Sequence, residues 1–514
     1  MYKYIRNNYH FHLLLIIFSF GFILFYGFRG IYPIDSFIIF NSGYNVLNGY
    51  HPFKDYWSIS GPILDYFQAF FFLLFGSNWM GYVLHAFVIN IIIVSISFYF
   101  FQKLKINNYY SFLYSLGVAI LAYPQTGTPF MDHHAFYFSY LSIIFLSLGM
   151  LNNKKIFWCL VPIAFFISFF SKQLPSSYLL IFIILFLVFY LYRNKNKARN
   201  ILKALLLGTF ISLFIFFSWI FLAKIPFENI LIQYFYYPMS IGEIRVAKIN
   251  FDINSFVLQF KFIYLSLLVP LIFLLKNLKN KKKSSDFVIS FSLLNLLLFI
   301  SFIFSQIMTK NQILIFFLIP YFLAVSHYFI TIYKGKSIYY FAILIIFAFT
   351  TFKYHDRFNH HKKFMELNDA DFNNALDAKV LDIKLKGIQW ITHRYMKNPK
   401  YELTQLKKSK SFIENSKFEY IIITDYQFFP MVLNLKTVSP SKWYDAMSVP
   451  SKKNIFHNEF KIFFKKNLKK QNIDHVYLLG KGKWPVEFLF QDKNCATFSK
   501  VNEFLYLSNI KDCY

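Results

Sequence analysis

"GPILDYFQAFFFLLFG", residues 61–76, is the stretch on which the topology turns. It is apolar enough for a membrane segment, yet it opens on Gly61-Pro62 and carries Asp65 and Gln68 on one helical face. Such a segment either crosses the bilayer or lies flat in its interface. Every later loop changes side with that choice.

The surroundings supply the means to decide. Of the 514 residues 56% are hydrophobic and 23% aromatic, gathered in long apolar runs, which marks a polytopic membrane protein. The formal charge of +29 would suggest a nucleic-acid partner in a soluble protein, but the lysines bunch between the apolar runs, as orientation signals do. No nucleic-acid role is inferred. Runs able to cross roughly 30 Å of hydrocarbon lie near 12–29, 81–101, 109–124, 135–151, 156–171, 176–192, 203–223, 255–275, 287–305, 313–332 and 338–352. The first, ending "FSFGFILFYGFRG", has no small-residue cleavage pattern and is expected to be retained.

If 61–76 does not cross, the loops that fall inside hold roughly 18 cations against about 7 outside; if it crosses, most of that excess moves outward. Residues 61–76 therefore read as an interfacial helix. This leaves eleven spans, a cytoplasmic N-terminus, a membrane domain over 1–352 and an extracytoplasmic tail over 353–514. In the tail, "FEYIIITDYQFFPMVLNL" and "IDHVYLLGKG" read as strands and "KNIFHNEFKIFFKKNLKKQNI" as a helix, so a small α/β domain is expected. Three cysteines exclude a disulfide scaffold. Cys159 sits in an apolar run; Cys495 and Cys513 either pair in an oxidising compartment or stay free thiols.

This topology gathers unusual polar residues at one face: Asp35 and Asp55, "QTGTPFMDHH" (125–134), "SKQLP" (171–175), the loop 224–252 and "SQIMTKNQ" (305–312). Carboxylates opposite Lys172, Arg245, Lys248 and Lys310 suit a base beside a phosphate cradle. Asp35 also fits a helix N-cap, Asp55 a partner of Lys54, and Lys172 a snorkelling lysine. Asp132, His133 and His134 suit a polar rim that touches sugar. Adjacent histidines on a helix point about 100 degrees apart, so no metal is assigned. In "YFYYP", Tyr237 either stacks on sugar or anchors at the interface.

The order of elements in the first outer loop resembles that of the GT-C superfamily of polytopic glycosyltransferases, relatives of protein O-mannosyltransferases and lipid A aminoarabinose transferases. Asp35 matches the first acid, Gly49, Pro52 and Asp55 the elements that follow, and Gly61-Pro62 and Phe75-Gly76 the bounds of the interfacial helix. Lys172-Gln173 resembles the family's Lys-Gln at an outer helix end, and "FFLIPYF" (316–322) its late aromatic span. Ser36 stands where many relatives carry a second acid. The resemblance implies transfer of a sugar from a polyprenyl-phosphate donor to a glycan, lipid or protein acceptor on the outer face of a bacterial-type inner membrane, in envelope glycan or lipid modification. It implies Asp35 as base, with Asp55 assisting, Lys172, Arg245, Lys248 and Lys310 on phosphate, and Asp132, His133, His134, Gln173 and Tyr237 about the sugar and acceptor. No cofactor is implied. Rival readings are a lipid-linked sugar transporter or flippase, which would place paired charges near mid-membrane, and an O-antigen polymerase or ligase.

Overall fold

A computed structural model describes residues 9–122, 127–246, 253–279, 286–309, 314–445, 447–480 and 498–513. The chain is a helical membrane protein with a small sheet region near its C-terminus. Each of the eleven apolar runs holds a helix: α1 (Tyr9–Gly27), α5 (Trp79–Lys103), α6 (Asn108–Leu121), α7 (Met131–Asn152), α8 (Lys155–Phe169), α9 (Ser176–Arg193), α10 (Lys195–Ala223), α12 (Lys261–Lys279), α13 (Asp286–Thr309), α14 (Leu318–Ile332) and α15 (Ser337–His355). Among the described residues, seven helical segments are long and apolar enough to cross a membrane; α6, α8, α12 and α14 are not among them. On α10, Leu206, Phe210, Phe214, Phe221 and Leu222 are all exposed. That surface suits lipid and would be costly in water.

Between α1 and α5 the chain forms α2 (Pro33–Ser36), α3 (Ile38–Leu47) and α4 (Ile63–Phe75). At 13 residues α4 is about 20 Å long, short of the roughly 30 Å a crossing needs. Its ends are set by glycines. A Cβ on Gly61 would lie 1.8 Å from the Phe170 carbonyl oxygen, so only glycine allows the loop to seat on the end of α8; Gly76, at φ +81°, terminates the helix. Asp65 and Gln68 face inward and are fully buried. α11 (Tyr237–Val246) continues the long loop after α10.

The tail carries α16 (Pro399–Glu414) and α17 (His457–Lys470), with strands β1 (Tyr420–Thr424), β2 (His475–Leu479), β3 (Ser499–Lys500) and β4 (Leu505–Asn509) in the order β1-β2-β4-β3. β1 and β2 run parallel, with α17 in the connection between them, while β4 pairs antiparallel with both β2 and β3. β1 and β2 are apolar runs with buried side chains because both faces are covered: Ile421, Ile423, Val476 and Leu478 share a buried cluster with Phe460 and Phe464 of α17, and Ile422 and Tyr477 one with Leu406 and Ile413 of α16. Cys513 is disulfide-bonded and Cys159 is free. Cys495 lies outside the described residues.

The tail does not stand apart from the helices. Ile23, Phe37, Phe40, Trp79 and Tyr82 share one buried cluster with Trp390, Leu403, Phe428, Phe429 and Leu479. The Phe37 ring lies 4.9 Å from that of Phe428. Two backbone pairings clamp the tail to the first loop. Gly30 N donates to Gln389 O at 3.1 Å and Gln389 N to Phe28 O at 2.8 Å; Trp57 N donates to Pro440 O at 3.0 Å and Lys442 N to Trp57 O at 2.9 Å. They bracket Asp35 in sequence.

Candidate active site

Asp35 sits in the first turn of α2, a helix started by Pro33 at its first position, where a missing N–H costs nothing. The side chain makes no cap bond; Tyr32 N is met by Ser36 Oγ at 3.1 Å instead. The N-cap reading of Asp35 is therefore not what the structure shows. Its carboxyl is 9% exposed and has no hydrogen-bond or ion-pair partner among the described residues. Burial pushes its pKa up to about 8; the charges of Asp132, Asp445 and Asp425 add to the rise and Lys172 opposes it. A lone buried carboxyl in a field of other carboxylates holds its proton well into the neutral range.

Four elements supply that field. Asp132 opens α7 and is ion-paired with Lys172 at 2.6 Å, Lys172 standing in the turn between α8 and α9. Asp425 follows directly on β1, at the carboxyl end of a parallel strand, and lies 3.5 Å from Arg394. Burial raises the Asp425 pKa, Arg394 restrains the rise and Asp445 adds to it. Asp445 accepts from the backbone N–H groups of Met447 and Ser448 and from Ser448 Oγ at 2.8 Å. The tail thus contributes two carboxylates to the surroundings of Asp35, one of them paired with Arg394.

Beside the site lies a second buried acid. Asp65 Oδ1 accepts from Ser42 Oγ at 2.8 Å and from Lys442 Nζ at 2.6 Å, while Oδ2 accepts from the Tyr56 hydroxyl at 2.9 Å. Lys442 also donates to Ser60 Oγ at 2.9 Å. Both members of this ion pair are almost wholly buried. Burial pulls the Lys442 ammonium below its ordinary value and Asp65 restrains the fall. This is a polar lock through which the tail's "SKWYDA" segment grips α4.

The other expected residues fall into distinct places. Asp55 pairs with Lys470 of α17 at 2.9 Å, not with Lys54, and accepts from His51 N at 2.9 Å. It helps fix the loop against the tail and shares none of these partners with Asp35. Gln173 Nε2 donates to Ile59 O at 3.1 Å and to Tyr234 O at 2.7 Å, stapling three segments. Tyr237 is buried, its hydroxyl on Met447 O at 2.7 Å and its ring against Trp57 and Phe456. It is a strut between α11 and the tail, with no ring face free for sugar or interface.

His133 and His134 diverge, as neighbours on a helix must. His133 packs between Phe130 and Tyr137 and its Nδ1 is buried without a partner among the described residues; His134 Nδ1 lies 3.0 Å from Phe130 O and its Nε2 3.1 Å from His85 Nε2. Only the backbone of Arg245 is described, on α11; Lys248 and Lys310 lie outside the described residues. Of the expected set, the structure therefore brings Asp35, Asp132 and Lys172 together.

Sequence reasoning missed Arg394, Asp425, Lys442 and Asp445. One signal was available for Asp425: ligand crevices form where parallel strands end, and "IIITD" ends one. No protein-family model matches the chain, and no curated protein matches it.

Proposed function

We propose that the chain is an inverting GT-C-type membrane glycosyltransferase with eleven crossings. It moves a sugar from a polyprenyl-phosphate donor to an acceptor on the tail-bearing face, outside a bacterial-type inner membrane. The observation that carries this reading is Asp35: a buried carboxyl with no described partner beside the Asp132–Lys172 pair. An acceptor hydroxyl attacking the anomeric carbon must lose a proton, and Asp35 receives it as the bond from sugar to phosphate breaks. The phosphate leaves as a weak base and needs positive charge rather than an acid. Lys172 has three N–H donors and its pair with Asp132 occupies one; the other two have no partner among the described residues and suit phosphate oxygens.

Asp425, Asp445 and Arg394 form the tail's wall of the same region and face the acceptor. The test is a transfer assay on the reconstituted chain with labelled polyprenyl-phosphate sugars. Asp35→Asn is expected to cut transfer by about 10²–10⁴-fold while leaving donor binding intact, and Lys172→Ala to weaken donor binding. Wild-type turnover with Asp35→Asn would remove the base; wild-type donor affinity with Lys172→Ala would remove the cradle.

A further inference from the structure

After α15 the chain does not leave the helix at once. Residues Asp356–His360 make one π-helical turn, in the sequence "HDRFNHH" (355–361), before the tail begins. An α-helix places residues i+3 and i+4 beside residue i, whereas a π-turn closes from i to i+5. Here His361 N donates to Asp356 O at 2.9 Å, which is that closure. The widened turn lets both i+4 and i+5 face residue i. His360 Nδ1 lies 3.4 Å and His361 Nε2 3.6 Å from the same oxygen, Asp356 Oδ1. The imidazoles cross at 74° with centroids 4.7 Å apart. Adjacent histidines thus converge here, where His133 and His134, on a regular helix, diverge.

We propose that Asp356, His360 and His361 bind a divalent transition-metal ion, with Zn²⁺ the best fit and solvent completing its coordination. All three ligand atoms fall within 4.8 Å of one another, and no other group of three His, Cys, Asp or Glu among the described residues does so. Ligand atoms about a tetrahedral Zn²⁺ ion lie roughly 3.3 Å apart, given metal–nitrogen bonds of about 2.0–2.1 Å. Small side-chain adjustments suffice to reach that spacing. The three side chains are about half exposed, so an ion has access.

The charges nearby decide which ion. His360 and His361 line a cleft of about 280 Å³ together with Arg29, Asn368 and Asp371. Arg29 stacks on Phe372 with its guanidinium carbon 4.2 Å from the ring centre. Asp371 is engaged with Asn373 N at 2.9 Å and Asn374 Nδ2 at 3.3 Å. Arg357 adds a second positive charge within the same turn. The carboxylates Asp356 and Asp371 are offset by Arg29 and Arg357, so no net negative field concentrates cations here. Affinity must come from the imidazole nitrogens, which favour Zn²⁺, Co²⁺, Ni²⁺ and Cu²⁺ over Mg²⁺ and Ca²⁺. The site lies where the last span hands over to the tail, next to Lys362, whose Nζ donates to Tyr26 O at 2.7 Å near the end of α1. A bound ion would fasten that junction.

The test uses the full chain in detergent or nanodiscs, purified without a polyhistidine tag, with Zn²⁺ titrated against a chromogenic chelator. One equivalent is expected to bind at micromolar free metal or below, unaffected by millimolar Mg²⁺ or Ca²⁺. The paired variant His360→Ala/His361→Ala is expected to lose at least about 100-fold in affinity, since even outer-shell changes cost metal sites 10–100-fold. Asp356→Asn, which keeps both imidazoles, is expected to lose less, and His10→Ala nothing. Unchanged elution and helical circular dichroism separate loss of ligands from loss of fold. Co²⁺ absorption gives a second readout, a four-coordinate nitrogen–oxygen spectrum that the paired variant lacks. Absence of saturable Zn²⁺ binding, full binding by the paired variant, or equal affinity for Ca²⁺ would overturn the proposal.

Discussion

Asp35 and Asp65 belong to the same segment between α1 and α5, both are buried, and their surroundings are opposite. Asp65 has a hydroxyl on each oxygen and an ammonium from the tail. Asp35 has no described partner, and its neighbours include three further carboxylates. A buried charge that is fully hydrogen-bonded fixes structure, and breaking its pair is costly. A buried acid left without partners stabilises nothing and stays available to an incoming proton donor. The comparison teaches that burial alone does not separate a locked acid from an unpartnered one; the hydrogen-bond partners do.

The largest expected effect tests the unpartnered half, proposed above as the base. Asp35→Asn should cut turnover by about 10²–10⁴-fold, the usual contribution of a positioned base, with no loss of stability on unfolding. Loss of fold along with activity would make Asp35 a second structural acid and erase the contrast. Lys442→Met tests the other half by stranding Asp65. It should destabilise the chain by about 3–5 kcal/mol in detergent unfolding and free the tail for limited proteolysis, while Lys442→Met with Asp65→Leu should recover most of that loss.

Asp35 also gives the fold a response to pH. With its pKa raised to about 8, Asp35 keeps its proton when folded and loses it when unfolded at any pH between the ordinary carboxylate value and about 8. The unfolded chain therefore binds fewer protons in that window. Stability contributed through this group falls as pH rises, with a limiting slope of about 1.4 kcal/mol per pH unit. Asp35→Asn should flatten the slope, and Lys172→Ala, which removes the opposing charge, should move the upper end of the window higher. Transfer by wild type should rise with pH through about 8, as the base ionises.

Smaller effects refine the lock. Tyr56→Phe removes one hydroxyl from Asp65 and should cost about 1.5–3 kcal/mol, the range for a hydrogen bond to a charged group. Lys470→Ala breaks the pair with Asp55, but the lysine is 57% exposed, so unfolding should show a change of no more than about 1 kcal/mol. A cost above that of Tyr56→Phe would mean that Asp55 matters more to docking the tail than Asp65 does.

Much of this architecture was legible in the chain. Apolar runs of span length become helices because backbone groups in lipid must pair within their own segment. Gly61-Pro62 and Gly76 marked α4 at both ends; the β-like stretches 418–435 and 473–482 hold strands at 420–424 and 475–479, but Phe429–Val432 in the first is a helical turn, begun by Pro430. The polar face carrying Asp35, Asp132 and Lys172 could be read because helix ends facing one side collect polar residues. The roles of Asp55, Gln173 and Tyr237 could not, because their partners, Lys470, Tyr234 and Met447, are set by how the tail and the long loop dock.

By itself the sequence determined the helical segments, the length of α4 and the placing of an acid just after the first span. These depend on local properties: run length, glycine and proline, and hydrogen bonds within a segment. Only the tertiary structure decided that Asp65 is locked while Asp35 has no partner among the described residues, that the charges of the tail's Asp425 and Asp445 act on Asp35, and that a π-turn makes His360 and His361 converge. Those outcomes depend on contacts between residues far apart in the chain, or on one extra residue in a turn, and neither leaves a periodic trace in sequence.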